Sequence, residues 1–206
     1  MDEYRGPIIK NLSYPTTFKD NGSVGSSEIL PILGIDPGGT TGWSFIAIRS
    51  KPLWRKESLE NVIDSKFFWN HGQIDCRGKG QEDEGVYQLR KLIDEWPSAA
   101  IVVEDFILRP ARKESSRELL SPVRITAKLE HHLWIRKRLM HLQSPSLAKR
   151  LSDERLKHFK VYTSKGGMQH ARDADRHVLM FIRRCLDTKG HELQQLSWPE
   201  GVFGNG

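Results

Sequence analysis

Asp36 closes an apolar run, "ILPILGID", and Pro-Gly-Gly follows it at once. Glu104 stands near the end of a second such run, "AAIVVEDF". His170 and Asp173 lie a helical turn apart in "QHARDADRHVLMFIRRCL", with Asp175 just beyond. A carboxylate where a buried run gives way to a turn is costly unless something positive meets it. Carboxylates that converge also repel, and one is pushed to protonate. A divalent cation removes both difficulties, and hard oxygen donors with open water positions suit Mg²⁺ or Mn²⁺. Each residue has a plainer reading as well. Asp36 fits an ordinary turn, Glu104 an ion pair with Arg109 or Arg112, and Asp173 the positive end of a helix dipole. His170 fits a helix-start cap, or, beside a metal, a ligand or proton shuttle. Apolar periodicity leaves both Asp173 and Asp175 flanking the buried side of their helix.

Bringing these residues together requires particular elements. The continuous run at 29–36 reads as a central strand, and "GWSFIAIR" (42–49) as its hairpin partner. "SKFFWNHGQID" (65–75) is a third strand, and residues 82–96 have helical spacing with acids in the first turn. Residues 99–106 read as another buried strand, and 122–140 as a long basic amphipathic helix, either core or a dimer seam. A short strand follows at 141–145, then a Ser/Asp-capped helix at 152–159 and a loop at 161–167. The final helix spans 169–186, with Ala171, Ala174, Val178, Phe181, Ile182 and Cys185 on one side. The tail from 197 does not read as helical. The order predicts an α/β protein with a mixed sheet. Sites in open sheets of this kind form beyond the strand ends. Residues 1–27 read as a flexible extension, 28–190 as the domain, and 191–206 as a C-terminal tail.

The chain has 206 residues, enough for one domain with a real core. No stretch is apolar for long enough to span a bilayer, and the acidic, polar start is unlike a secretory signal. Cys76 and Cys185 form neither a metal spacing nor a disulfide framework. A soluble, intracellular protein is expected. The net charge of +6 is unevenly spread: −4 over residues 1–108, +9 over 109–160 and +1 over 161–206. The basic third fits a polyanionic partner, most often nucleic acid, or else a solvated helical face.

"GIDPGGTTGW", then "IVVEDF", then "HARDADRHVLMF" resembles the motif order of the RuvC-type Holliday junction resolvases, on the RNase H-like fold. The likeness spans about residues 31–186 and is greatest to the shorter, divergent versions carried by bacteriophages; "PSLAKRLSDERLKHF" is similar to those versions too. The resemblance implies an RNase H-like mixed five-stranded sheet flanked by helices. It implies an Mg²⁺-dependent endonuclease that cleaves four-way or branched DNA, acting as a homodimer in the cytoplasm, the host's if phage-encoded. Asp36 matches the first-strand carboxylate, Glu104 the acid of the fourth strand, and Asp173 the acid before alanine in the final helix. His170 falls where the family places Asp or His, which leaves three carboxylates. Asp175 departs from the pattern, which more usually has an apolar residue there; it is either a spare carboxylate or a sign of different packing.

The implied mechanism is hydrolysis at two Mg²⁺ ions about 4 Å apart, with Mn²⁺ as a substitute. Asp36 would bridge the ions, Glu104 hold one, and Asp173 with His170 the other. Arg109, Arg112, Lys113 and Arg117, directly after Glu104, are expected to grip phosphates. Lys149, Arg150 and Lys165 are further candidates. Three rivals remain at this point: a non-catalytic junction binder on the same fold, a relative that prefers forks, flaps or RNA–DNA hybrids, and an actin-like ATPase or sugar kinase. The last also uses a "DPGGTTG"-like turn but needs two such domains.

Overall fold

The computed structural model describes residues 29–49, 57–78, 80–107, 119–187 and 190–198. The extension at 1–27 and the tail from 199 lie outside these residues. In chain order the elements are β1 (Ile29–Asp36), β2 (Thr40–Arg49), α1 (Leu59–Asp64), β3 (Lys66–Asp75), α2 (Gln81–Glu95) and β4 (Ala100–Glu104). Then come α3 (Ser121–Ile135), β5 (Met140–Gln143), α4 (Pro145–Ala148), α5 (Asp153–His158), α6 (Gln169–Leu186) and α7 (Gly190–Ser197).

The strands form one sheet in the order β3-β2-β1-β4-β5. β1 and β4, the two runs apolar at nearly every position, lie side by side and parallel in its interior. Strands of that composition need both faces covered. β2 returns antiparallel to β1, and β3 pairs antiparallel with β2. The turn between β1 and β2 is closed by Thr41, whose Oγ1 donates to the Gly38 carbonyl and accepts from the Gly38 N–H. The parallel step from β4 to β5 uses α3 as its crossover.

Strand alternation divides the core in two. Leu30, Ile32, Ile46, Ile48, Ala100 and Val102 face α6. Leu33, Ile35, Phe45, Ala47, Ile101 and Val103 face α2 and α3. Asp36 and Glu104 share the parity of Ile32 and Val102, so both end their strands on the α6 face.

That helix sits unusually close to the sheet, because the positions beneath it have almost no side chain. A Cβ on Gly42 would lie 1.9 Å from the His170 carbonyl oxygen, and one on Gly34 2.8 Å from that of Ala174. Ala171 and Ala174 complete the contact from the helix side, both fully buried.

The helix expected over 122–140 stops at Ile135. Lys137 adopts a left-handed conformation (φ 55°). The Arg138 guanidinium then donates to the carbonyls of Ile93, Trp96 and Ala99, and this turns the chain into β5. Leu129 and Leu133 are core residues, whereas Trp134 is 75% exposed. Three short helices, α1, α4 and α7, add to the expected order. α7 occupies residues assigned to the tail, and Trp198, just after it, is buried against Phe181. No helix among the described residues is long and apolar enough to cross a membrane.

Candidate metal centre

Asp36 is delivered by the end of β1, and His170 and Asp173 by the first turn and a half of α6. One donor atom from each lies within 4.8 Å of the others. His170 Nδ1 is 2.7 Å from Asp36 Oδ2. The start of α6 has no side-chain cap of its own. Gln73 on β3 supplies one: its Oε1 accepts from the N–H groups of His170 (2.9 Å) and Ala171 (3.3 Å). Its Nε2 donates to the Gly167 carbonyl (2.8 Å). A strand residue thus fixes where His170 stands.

Burial pushes the Asp36 carboxyl above the usual carboxylate range, against the hydrogen bond from His170, and the charges of Glu104 and Asp173 push it further. The same hydrogen bond, outweighing burial, raises His170. In this crowded group the His170 imidazole is the group placed to offset Asp36. Two carboxylates and an imidazole within a few ångströms fit a divalent cation.

Glu104 stands beside the group rather than in it. Its Oε2 is 2.7 Å from Nε2 of His177, a fully buried residue of α6. Asp173 is held in turn by Arg176, whose Nη1 is 2.5 Å from its Oδ1. The same guanidinium pairs with Asp153 and donates from Nε to the Leu151 carbonyl (2.9 Å). Asp175 takes no part. It is wholly buried, accepting from Trp69 Nε1 (2.9 Å) and lying 2.6 Å from His71 Nδ1. Burial pushes its carboxyl upward. Asp175 thereby ties α6 to β3.

Gln73, Arg176 and His177 were not anticipated from the sequence. Gln73 had a signal: Trp69, His71 and Gln73 alternate along β3 and therefore share a face. His177 and Arg176 had none beyond their place in a helix already marked for chemistry.

Of the basic candidates, Arg109, Arg112, Lys113 and Arg117 lie outside the described residues. Lys149 is exposed at the end of α4. Arg150 lines a groove of about 630 Å³ with Arg155, Arg183, Glu57, Glu60 and Asp187. Arg183, at one end of it, is thirteen residues along α6 from His170, about 20 Å of helix, while Leu151, which also lines it, accepts from the Arg176 that holds Asp173. Lys165 is exposed in the loop just before α6. Beside that loop the Tyr162 ring carries Lys157 Nζ at 5.0 Å and the Arg172 guanidinium at 5.6 Å.

No protein-family model matches the chain, and no curated protein sequence is significantly similar to it. The fold does have solved neighbours. One is described as T. thermophilus RuvC in complex with Holliday junction substrate. It is 14% identical, with a TM-score of 0.55, over 76% of this chain and 95% of that one. A second, a Thermus thermophilus RuvC structure, is 13% identical over the same shares, with a TM-score of 0.48. This chain has a RuvC-like fold of the RNase H type, a mixed five-stranded sheet flanked by helices.

Proposed function

We propose that this protein is a metal-dependent, structure-selective endonuclease that cleaves four-way or otherwise branched DNA by phosphodiester hydrolysis. The observation that carries the reading is the convergence of Asp36, His170 and Asp173 beyond the end of β1, with Glu104 at the end of its parallel neighbour. The motif order in the sequence supports a resolvase in particular, as does the fold's likeness to a RuvC bound to a junction.

Asp36, His170 and Asp173, with Glu104 alongside, are the groups that would hold Mg²⁺ or Mn²⁺. When bound, the metal lowers the pKa of a water and stabilises the charge on the leaving oxygen. The protein's own part is to hold the donors in place. Gln73 anchors the start of α6, Arg176 orients Asp173, and the glycines beneath the helix set its height. Lys165, with Lys157 and Arg172 nearby, is suited to DNA phosphates, as is the basic segment that follows Glu104. Binding through these cations should weaken steeply as salt rises. A homodimer would match the two-fold symmetry of a junction.

The test is cleavage of a labelled four-way junction in Mg²⁺, beside a fork and a linear duplex, for wild type and Asp36→Asn. A gel shift in Ca²⁺ is run in parallel. Junction cleavage that is lost in the variant while binding persists supports the proposal. Binding by wild type without cleavage overturns the catalytic reading in favour of a junction-binding protein. Preferential cutting of the fork moves the substrate, and a single-chain mass in solution removes the dimer.

A further inference from the structure

Glu104 is set apart from the other acidic residues by a partner that none of them has. His177 lies two turns into α6 and its side chain is wholly buried. Its Nε2 is 2.7 Å from Glu104 Oε2, and its Nδ1 has no partner among the described residues. A second buried polar group belongs to the same corner. Gln143 pairs with Glu104 across the β4–β5 ladder and is 1% exposed, and neither of its amide atoms has a partner among the described residues. Paired residues of parallel strands share a face. His141, two residues before Gln143, packs on Phe181 of α6 at 5.1 Å between ring centroids. Four residues back along α6 from Phe181 is His177, and two residues forward along β5 from His141 is Gln143. The two steps are of similar length, about 6 Å. Gln143 and His177 therefore flank Glu104 at the same level of the sheet.

A buried imidazole facing a carboxylate across an apolar helix–sheet seam is an expensive arrangement if it only fills space. An alanine or valine would pack there without that cost. What the pair does supply is orientation. With Nε2 donating, one carboxylate oxygen of Glu104 is fixed to the protein and the other is left to the acidic group beside Asp36. Partners of this kind behind ligating residues typically change metal affinity or activity by about 10–100-fold when removed.

We propose that His177 is a positioning residue for Glu104. Its Nε2–H pins Oε2 so that Oε1 serves the metal centre. The inference rests on the nuclease reading only in taking Glu104 as a metal ligand. It assigns Glu104 a different mode of attachment from that of Asp36, His170 and Asp173.

The full-length chain is made as wild type, His177→Leu, His177→Gln and Glu104→Gln. Gln places an amide N–H near the position of Nε2; Leu offers none. Mn²⁺ binding without DNA is followed by calorimetry or electron paramagnetic resonance, and junction cleavage is resolved into kcat and KM. The leucine variant should bind Mn²⁺ about 10–100-fold more weakly than wild type and approach the defect of Glu104→Gln. Its kcat should fall while its KM and its junction binding in Ca²⁺ stay put. The glutamine variant should recover most of both losses. Mn²⁺ affinity unchanged in a folded His177→Leu protein overturns the proposal. So does a glutamine variant as defective as Glu104→Gln, and this second criterion stands even if the leucine variant does not fold. Failure of the nuclease reading looks different: wild type would not cleave, yet Mn²⁺ binding would still depend on the side chain at 177.

Discussion

Two groups of charged residues, one on either side of the sheet, use carboxylates in opposite ways. Where α2 meets α3, the acids have cations for partners. Glu82 accepts from Arg124 at 2.5 Å and from Lys128 at 3.0 Å, and these hydrogen bonds hold its carboxyl down at about 2. Asp94 pairs with Arg136 and His132. At the start of α6, Asp36 has acids for neighbours and a single imidazole for relief, and its carboxyl is pushed up. Both side chains are nearly closed off from solvent, but at Asp36 burial is the main push upward and the neighbouring acids add to it, whereas at Glu82 the hydrogen bonds from Arg124 and Lys128 outweigh burial. The first arrangement lowers the energy of the folded chain, while the second leaves an electrostatic deficit that a bound cation would relieve. A site that holds its ligands close before the metal arrives is costly in stability, and the α2–α3 pairs are one place where stability is regained.

The largest test of this contrast is Asp36→Asn. Junction cleavage should drop by about 10³-fold or more, since the group would lose the carboxylate that β1 contributes to it. In EDTA the same variant should melt no lower than wild type, and a rise of about 2–4 °C corresponds to about 1 kcal/mol for a chain of this size. A variant that loses both activity and several degrees would mean that Asp36 is a structural residue, and the contrast would fail.

Gly42→Ala comes next. Its Cβ would meet backbone, the carbonyl of His170, which has no flexible end to swing aside. The helix must lift, at a cost of about 3 kcal/mol, and His170 is carried away from Asp36. Denaturant unfolding should show the loss, and Mn²⁺ affinity should fall with it. Unchanged unfolding would mean that the helix does not rest on the sheet as closely as the glycine implies.

Much of this arrangement was legible in advance. The runs that became β1 and β4 have no polar residue before their terminal acids, and their parallel pairing, once seen, puts Asp36 and Glu104 on one face. The spacing of His170 and Asp173 puts them on one side of a helix. The partners were not legible. Gln73 to His170, His71 to Asp175 and Glu104 to His177 each join residues more than seventy positions apart. Which of them meet depends on the rotation and height of α6, set by glycines whose neighbours no pattern reveals. The end of α3 was hidden for the same reason. "RKRLM" continues a helical pattern without Gly or Pro, and the stop comes from Arg138 reaching three carbonyls across the fold. α7 escaped notice; it begins at Gly190, a residue of low helix propensity. There it lets the helix start close to the end of α6, since a Cβ would lie 2.1 Å from the Cys185 carbonyl oxygen.

Glu82→Gln sharpens the stabilising side of the comparison. It leaves Arg124 and Lys128 facing a neutral amide and should cost about 2 kcal/mol at neutral pH. The folded carboxyl lies near 2 and the ordinary value is 4.5. The ion-paired form therefore stabilises the fold fully above about 4.5, and that contribution is lost as pH falls toward 2. Chemical unfolding across this window should show wild type and variant converging in acid. A gap that stays constant would assign the loss to packing rather than charge.

The smallest effect is expected at the other end of α2, where Asp94 is 40% exposed. Asp94→Asn should cost only about 0.5 kcal/mol at pH 8, and added salt should shrink the difference. Its pH dependence is more informative than its size. Burial pushes His132 below its ordinary range, and Asp94 is the main influence holding it up. A histidine depressed in the fold makes stability fall as pH drops, because the unfolded chain takes up the proton first. In wild type that fall ends once the folded imidazole also protonates. Without Asp94 the imidazole resists longer, so as pH falls the variant should keep losing stability after wild type has levelled off. The imidazole shift of His132, followed by NMR in both proteins, gives the same answer independently. A variant whose His132 titrates as in wild type would show that Arg136 and solvent, rather than Asp94, set the charge at this corner. The rule that each buried charge of the α2–α3 region is governed by its nearest partner would then hold for Glu82 alone.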